Sequence, residues 1–170
     1  MHLGTRFGSG LAAIAALAVV MMVTCGSAWA ATTYTWNQTG SASWAVATNW
    51  TPTRTSPATD DILQFNNAAT TTVTSVPTET IGRLLVSGGT TVTLQPAASG
   101  NKLTIGGGAG ALSVASGSAL NVSTASTLAL TLALTTGSTG SISGNMTFSG
   151  GTGNATHVLS AADAAGITFN

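Results

Sequence analysis

The sequence predicts an all-β protein: a right-handed parallel β-helix, or β-solenoid, of short strands, with an antiparallel β-sandwich as the alternative. Three observations lead there. From Ile81 onward Val and Leu alternate with Thr and Ser, as in Val92-Thr93-Leu94, Leu103-Thr104-Ile105 and Leu112-Ser113-Val114. That period of two places apolar side chains on one face and hydroxyls on the other. Gly or Asn punctuates each piece, giving turn signals every eight to twelve residues. No stretch after residue 31 forms a convincing amphipathic helix, since residues 161–165 are too few and Gly166 stops them.

Strand centres fall near Leu85, Thr93, Thr104, Ser113, Asn121, Leu130, Thr147 and Val158. The 17-residue gap between Leu130 and Thr147 has room for one more short strand at Ser141-Ile142-Ser143. Upstream, Ile62-Leu63-Gln64-Phe65 reads as a strand, Asn66-Asn67 as a turn, and the Thr run around Val73 as another strand. Strands this short suit a chain that turns corners often. The expected interior is almost purely aliphatic, with Phe65, Phe148 and Phe169 as exceptions, whereas a sandwich core usually centres on a few large aromatics. These points favour the solenoid.

The first thirty residues differ from the rest. Residues 1–10 carry one base, Arg6, and no acid; residues 11–23 are unbroken apolar; Ala28-Trp29-Ala30 follows. This is the order of a cleaved signal peptide, with Ala28 and Ala30 forming the cleavage site. Thirteen apolar residues rise about 20 Å as a helix, short of a hydrocarbon core of roughly 30 Å, so a membrane span is the weaker reading. Cys25 raises a lipoprotein alternative, but Thr24 and Met22 stand where a small residue and a Leu would be wanted. Otherwise the one cysteine leaves with the signal, and the mature chain has neither disulfide nor thiolate.

The mature chain would keep three bases, Arg54, Arg83 and Lys102, against four acids, Asp60, Asp61, Glu79 and Asp163, a net charge of −1. Nucleic-acid binding draws on several clustered cations, so it is excluded. The charged type of disorder is excluded too, and even apolar spacing argues against a Ser/Thr/Gly linker.

Catalytic constellations are weighed and set aside. Gly106-Gly107-Gly108-Ala109-Gly110-Ala111 matches a dinucleotide fingerprint formally, but Leu112 opens a strand and no acid lies between Glu79 and Asp163. A corner between coils is the simpler reading. His157, Ser160 and Asp163 include the three triad types, crowded on one short segment where triad members rarely converge, and no G-x-S-x-G occurs. Asp60 and Asp61 are adjacent and would point to opposite faces, so they cannot flank one sugar bond. Asp60 is expected to bond the turn before Ile62. The expectation is no enzyme, no cofactor and no metal site.

Trp36, Trp44 and Trp50 have two readings. Exposed, they would stack on sugar rings and make a carbohydrate-binding module. Buried, they would cap the first coil, which a solenoid requires. The domain plan is therefore a signal peptide (1–30), a Trp-containing N-terminal cap region (31–80) and solenoid coils (81–170).

The run Thr33-Tyr34-Thr35-Trp36-Asn37, then Trp44, Ala47-Thr48-Asn49-Trp50, residues 59–65 and Ile81-Gly82-Arg83-Leu84-Leu85-Val86 resembles a recurring opening. It is similar to the N-terminal region of large secreted bacterial β-helix surface proteins, of the autotransporter-passenger and type IX secretion-cargo kinds. The resemblance covers residues 31–170. It implies a secreted or cell-surface β-helix, adhesive or structural, within a much longer polypeptide, and polysaccharide or other cell-surface components as partners. Gly166-Ile167-Thr168-Phe169-Asn170 reads as a strand beginning rather than a capped end. The coils are accordingly expected to continue past Asn170, and the open edge to favour self-association.

Overall fold

The computed structural model describes residues 30–124, 127–150 and 155–170. Apart from Ala30, the expected signal peptide, Ala28 included, lies outside the described residues.

The chain winds as a β-solenoid with three strands to each full coil, one in each of three sheets; the first coil supplies strands to two of them. The first coil holds β1 (Thr33–Trp36) and β2 (Gly40–Ser43), followed by a two-residue strand, β3 (Trp50–Thr51). The second holds β4 (Ile62–Phe65), β5 (Thr70–Val76) and β6 (Glu79–Ile81). Next come β7 (Arg83–Val86), β8 (Thr91–Pro96) and β9 (Asn101–Ile105), then β10 (Leu112–Val114), β11 (Ala119–Ser123) and β12 (Leu130–Leu134). The last stretch has β13 (Thr139–Ile142), β14 (Asn145–Ser149), β15 (Val158–Ala161) and β16 (Gly166–Phe169). Corresponding strands of successive coils pair into three sheets of seven, five and four strands. Every pairing between coils is parallel; β1 with β3 is the antiparallel one. The sandwich alternative is thereby removed.

The strand spacing resolves into a longer period. Leu84, Leu112 and Gly140 stand side by side, each 28 positions after the one before. Val92 and Leu120 are also 28 apart, and Leu103 and Leu132 are 29 apart. Three strands and three corners thus make one repeat. Period-two alternation then turns every second residue into the same interior, so aliphatic side chains stack on their counterparts. One column runs Phe65, Val86, Val114, Ile142; another joins Leu94 to Val122, and a third Leu103 to Leu132. All are at most 2% exposed. Each such side chain contributes roughly 1.5–3 kcal/mol of burial.

The expected boundary at residue 80 is not a structural one. β1, β2, β4 and β5 already pair in the same sheets as the later coils. The solenoid therefore starts at β1, and the cap is made by inserted residues between β2 and β4. The cause is register: Thr33 pairs with Ile62 and Gly40 with Thr71, and Ile62 in turn pairs with Arg83 and Thr70 with Thr91, so the first strands join the same parallel ladders although their coils differ in length from the later ones.

Corners are built from hydroxyls and close backbone approach. Thr90 and Ser118, 28 residues apart, are buried and receive amides of the preceding coil: Ala68 N–H donates to Thr90 Oγ1 at 3.0 Å, and Gly89 N–H to Ser118 Oγ at 3.1 Å. At another corner Gly108 N–H donates to the buried Ser138 Oγ at 3.3 Å. A corner amide leaves the ladder, and a buried amide without a partner is costly, so a short hydroxyl side chain at that place satisfies it. The Gly106–Ala111 run is such a corner between β9 and β10. Gly107 N–H donates to Gly82 O at 2.7 Å, and a Cβ on Gly107 would lie 2.3 Å from that oxygen. The glycine is there to let two coils touch.

Gly107→Ala should therefore cost roughly 1–3 kcal/mol or more, because the obstructing atoms are backbone and cannot swing aside. Lys102→Ala, at an exposed position, should stay within about 0.5 kcal/mol. Urea unfolding of the two variants checks this, and equal midpoints would refute the close-packing account.

Candidate functional site: the tryptophan and arginine cap

Side-chain chemistry concentrates at the N-terminal end. Antiparallel pairing of β1 with β3 sets Trp36 opposite Trp50. Their ring centroids are 4.9 Å apart with planes at 74°, an edge-to-face contact. Trp44 meets Trp50 at 5.2 Å and 83°, and Phe65 lies 5.7 Å from Trp36 and 5.5 Å from Trp50. Trp36, Trp44 and Trp50 are 0%, 3% and 1% exposed.

Each indole N–H is used internally. Trp36 Nε1 donates to Thr71 Oγ1 at 3.0 Å, Trp44 Nε1 to Glu79 Oε2 at 3.0 Å, and Trp50 Nε1 to the Trp44 carbonyl at 3.1 Å. Thr71 in turn donates to Gly40 O at 3.1 Å. The carbohydrate-stacking reading of Trp36, Trp44 and Trp50 is corrected here: stacking requires an open ring face, and these faces are covered by one another, by Phe65 and by the first coils. Apolar area at a solenoid end must be hidden somewhere, and the indoles hide it.

Beside the rings sits a buried ionic cluster. Arg54 Nε donates to Asp61 Oδ2 at 2.8 Å, and Arg54 Nη2 pairs with Glu79 Oε1. The side chains of Arg54 and Asp61 are 3% and 2% exposed, and that of Glu79 is 13% exposed. Glu79 occupies the register position of Leu103 in the next coil, so an acid stands where the interior column is otherwise leucine. It can do so because the chain between β3 and β4 brings Arg54 over it. The guanidinium also lies 5.7 Å from the Tyr34 ring centroid and 5.9 Å from that of Trp50. Burial, the largest influence, works against the Arg54 charge. Hydrogen bonds and attraction from Glu79 and then Asp61 outweigh it, and the net effect raises the pKa above its ordinary value. A raised pKa contributes stability below the unfolded value and loses it only as pH climbs through the folded one. The arginine therefore stays charged through any neutral or acidic range.

Asp61, rather than the Asp60 expected from sequence, bonds the turn before Ile62: its Oδ2 accepts the Ala58 N–H at 3.0 Å. Asp60 is exposed. The two carboxylates do part to opposite sides, one to the cluster and one to solvent. The sequence alone counts Arg54, Asp61 and Glu79 only toward net charge and does not bring them together. A signal was present: they are three of only eight Lys, Arg, Asp and Glu residues in the chain, within one short segment.

His157, Ser160 and Asp163 do not assemble. His157 Nδ1 accepts the Leu130 N–H at 3.0 Å, which turns that nitrogen into the β12 edge, and its Nε2 is buried without a hydrogen-bond partner. Asp163 lies in the exposed turn after β15. An open groove of about 590 Å³ runs beside β4 and β7, lined by Ala31, Asp60, Ile62, Gly82, Arg83 and Gly107 among others. Among the described residues no three His, Cys, Asp or Glu side chains converge as metal ligands, and no helix is long and apolar enough to cross a membrane. No protein-family model, curated protein or solved structure matches this chain.

Arg54→Met should destabilise by roughly 3–5 kcal/mol, because it leaves Asp61 and Glu79 buried without their counter-ion. Thr71→Val should cost about 1–3 kcal/mol by orphaning the Trp36 N–H. Denaturant titration followed by tryptophan fluorescence reads both, and an Arg54→Met protein as stable as the parent would show that the cluster does not hold the cap.

Proposed function

We propose that this chain is a non-catalytic structural or adhesive β-solenoid segment of a secreted or cell-surface bacterial protein. The observation that carries the reading is the use made of the clustered charges. Arg54, Asp61 and Glu79 are consumed in sealing one end of a regular rod. A solenoid extends by about 4.8 Å for each coil added, so it serves as a spacer and a repeating surface. Export is supported by the order of Arg6, the apolar residues 11–23 and Ala28-Trp29-Ala30. A mature chain free of cysteine, held by ladders and aliphatic columns, needs no oxidising step to fold.

Expression of the full chain in a Gram-negative host should yield an exported product beginning at Ala31, read by N-terminal sequencing or intact mass. A product found only in the cytoplasm with Met1 retained would overturn the exported reading.

A further inference from the structure

The outer faces of the three sheets differ in charge. The seven-stranded sheet carries Arg83, on β7, and the four-stranded sheet carries Lys102, on β9. The five-stranded sheet, β2-β5-β8-β11-β14, carries no Asp, Glu, Lys or Arg at all. Its outward residues are mostly hydroxyls and amides in register, with Ala119 among them. Ser41 pairs with Thr72, Thr72 with Thr93, Thr93 with Asn121, and Asn121 with Thr147, one unbroken row across five strands. Inward neighbours such as Thr71, Val73, Val92, Leu94, Leu120 and Val122 are fully buried, so the row itself points outward. Ser123 and Ser149 pair alongside as part of a second row. Adjacent members of a row are about 4.8 Å apart, and adjacent rows about 6.6 Å.

We propose that this face binds a neutral, hydroxyl-rich polysaccharide in fibre form, laid along the solenoid axis so that successive coils contact successive sugars. The inference rests on the adhesive reading above and names its surface. A charged polymer would need counter-charges, and this is the face that has none. A single sugar would meet only one or two polar groups, each of little net value in water. An extended polymer meets one at every coil, and repetition on a rigid support supplies the affinity. The ring in this sheet, Phe148 of β14, lies in register with buried Val122 and packs against the core, so hydrogen bonding from Thr, Ser and Asn must carry recognition here. The row of Thr91, Ala119 and Asn145 shows that the grid is chemically mixed rather than uniform. Donors and acceptors of differing reach suit sugar hydroxyls better than an ice lattice, which would ask for identical groups at each node.

The test uses the exported product of the full chain, sedimented with microcrystalline cellulose, xylan and chitin. We expect retention on at least one of them, equal in low and high salt. Thr93→Ala with Asn121→Ala should weaken it about tenfold, the loss expected of two polar contacts. Thr131→Ala, on the four-stranded sheet beside Lys102, should leave it unchanged. Circular dichroism melting of each variant separates a lost contact from a lost fold. Exported, folded protein that binds none of the fibres would overturn this proposal while leaving the structural reading intact. Retention abolished by salt, equal loss in Thr131→Ala, or inhibition of ice growth without fibre binding would each overturn it as well.

Discussion

Coil-to-coil registration is the constraint on which the other features rest. A parallel ladder between neighbouring coils fixes which residue lies over which, and a slip by one residue would turn every inward Leu, Ile and Val to solvent. The 28-residue spacing of Leu84, Leu112 and Gly140 keeps that alignment. It also explains the corners. Because coils meet at strand distance, any position where backbones close further must lack a Cβ, as Gly107 does over Gly82. Corner amides that leave the ladder must find a hydroxyl at the same phase of the next coil, as with Thr90 and Ser118.

A stack of coils has ends, and the N-terminal one determines the chemistry of residues 31–80. Aliphatic columns would otherwise stop at open water. Trp36, Trp44 and Trp50 close them with large rings whose polar N–H groups are each satisfied, and Arg54 draws two acids into the same seal. A buried ion triad of this kind adds little net stability over an apolar one. Its geometry instead requires one placement of the chain between β3 and β4. Phe169, in register with Ile142 in the column that runs from Phe65, is 65% exposed.

Spending charge on the seal leaves the sides of the rod sparsely charged, and unevenly so. Arg83 marks one sheet, Lys102 another, and the five-stranded sheet is left without charge, its outward face mostly hydroxyls and amides. Outward Thr is favoured on strands for its β-branched shape alone. Stacked in register, the same residues become a two-dimensional grid. A local preference thus acquires a collective property that no single strand has.

Much of this was legible in the sequence. Alternation in Val92-Thr93-Leu94 and its counterparts placed the strands near their observed centres, and Ser141-Ile142-Ser143 overlaps β13. Alternation is readable because it depends only on the pleat of one strand. The Gly106–Ala111 corner was legible too, since glycine runs interrupt strands whatever surrounds them. What the tertiary structure decided was everything that joins residues a coil apart. Three strands per turn, the 28-residue period, the merging of residues 31–80 into the same sheets, and the meeting of Arg54 with Asp61 and Glu79 are long-range facts. So is the burial of the tryptophans: an indole reads alike in sequence whether it faces a sugar or another indole. Only the pairing of β1 with both β3 and β4 closes those rings from water.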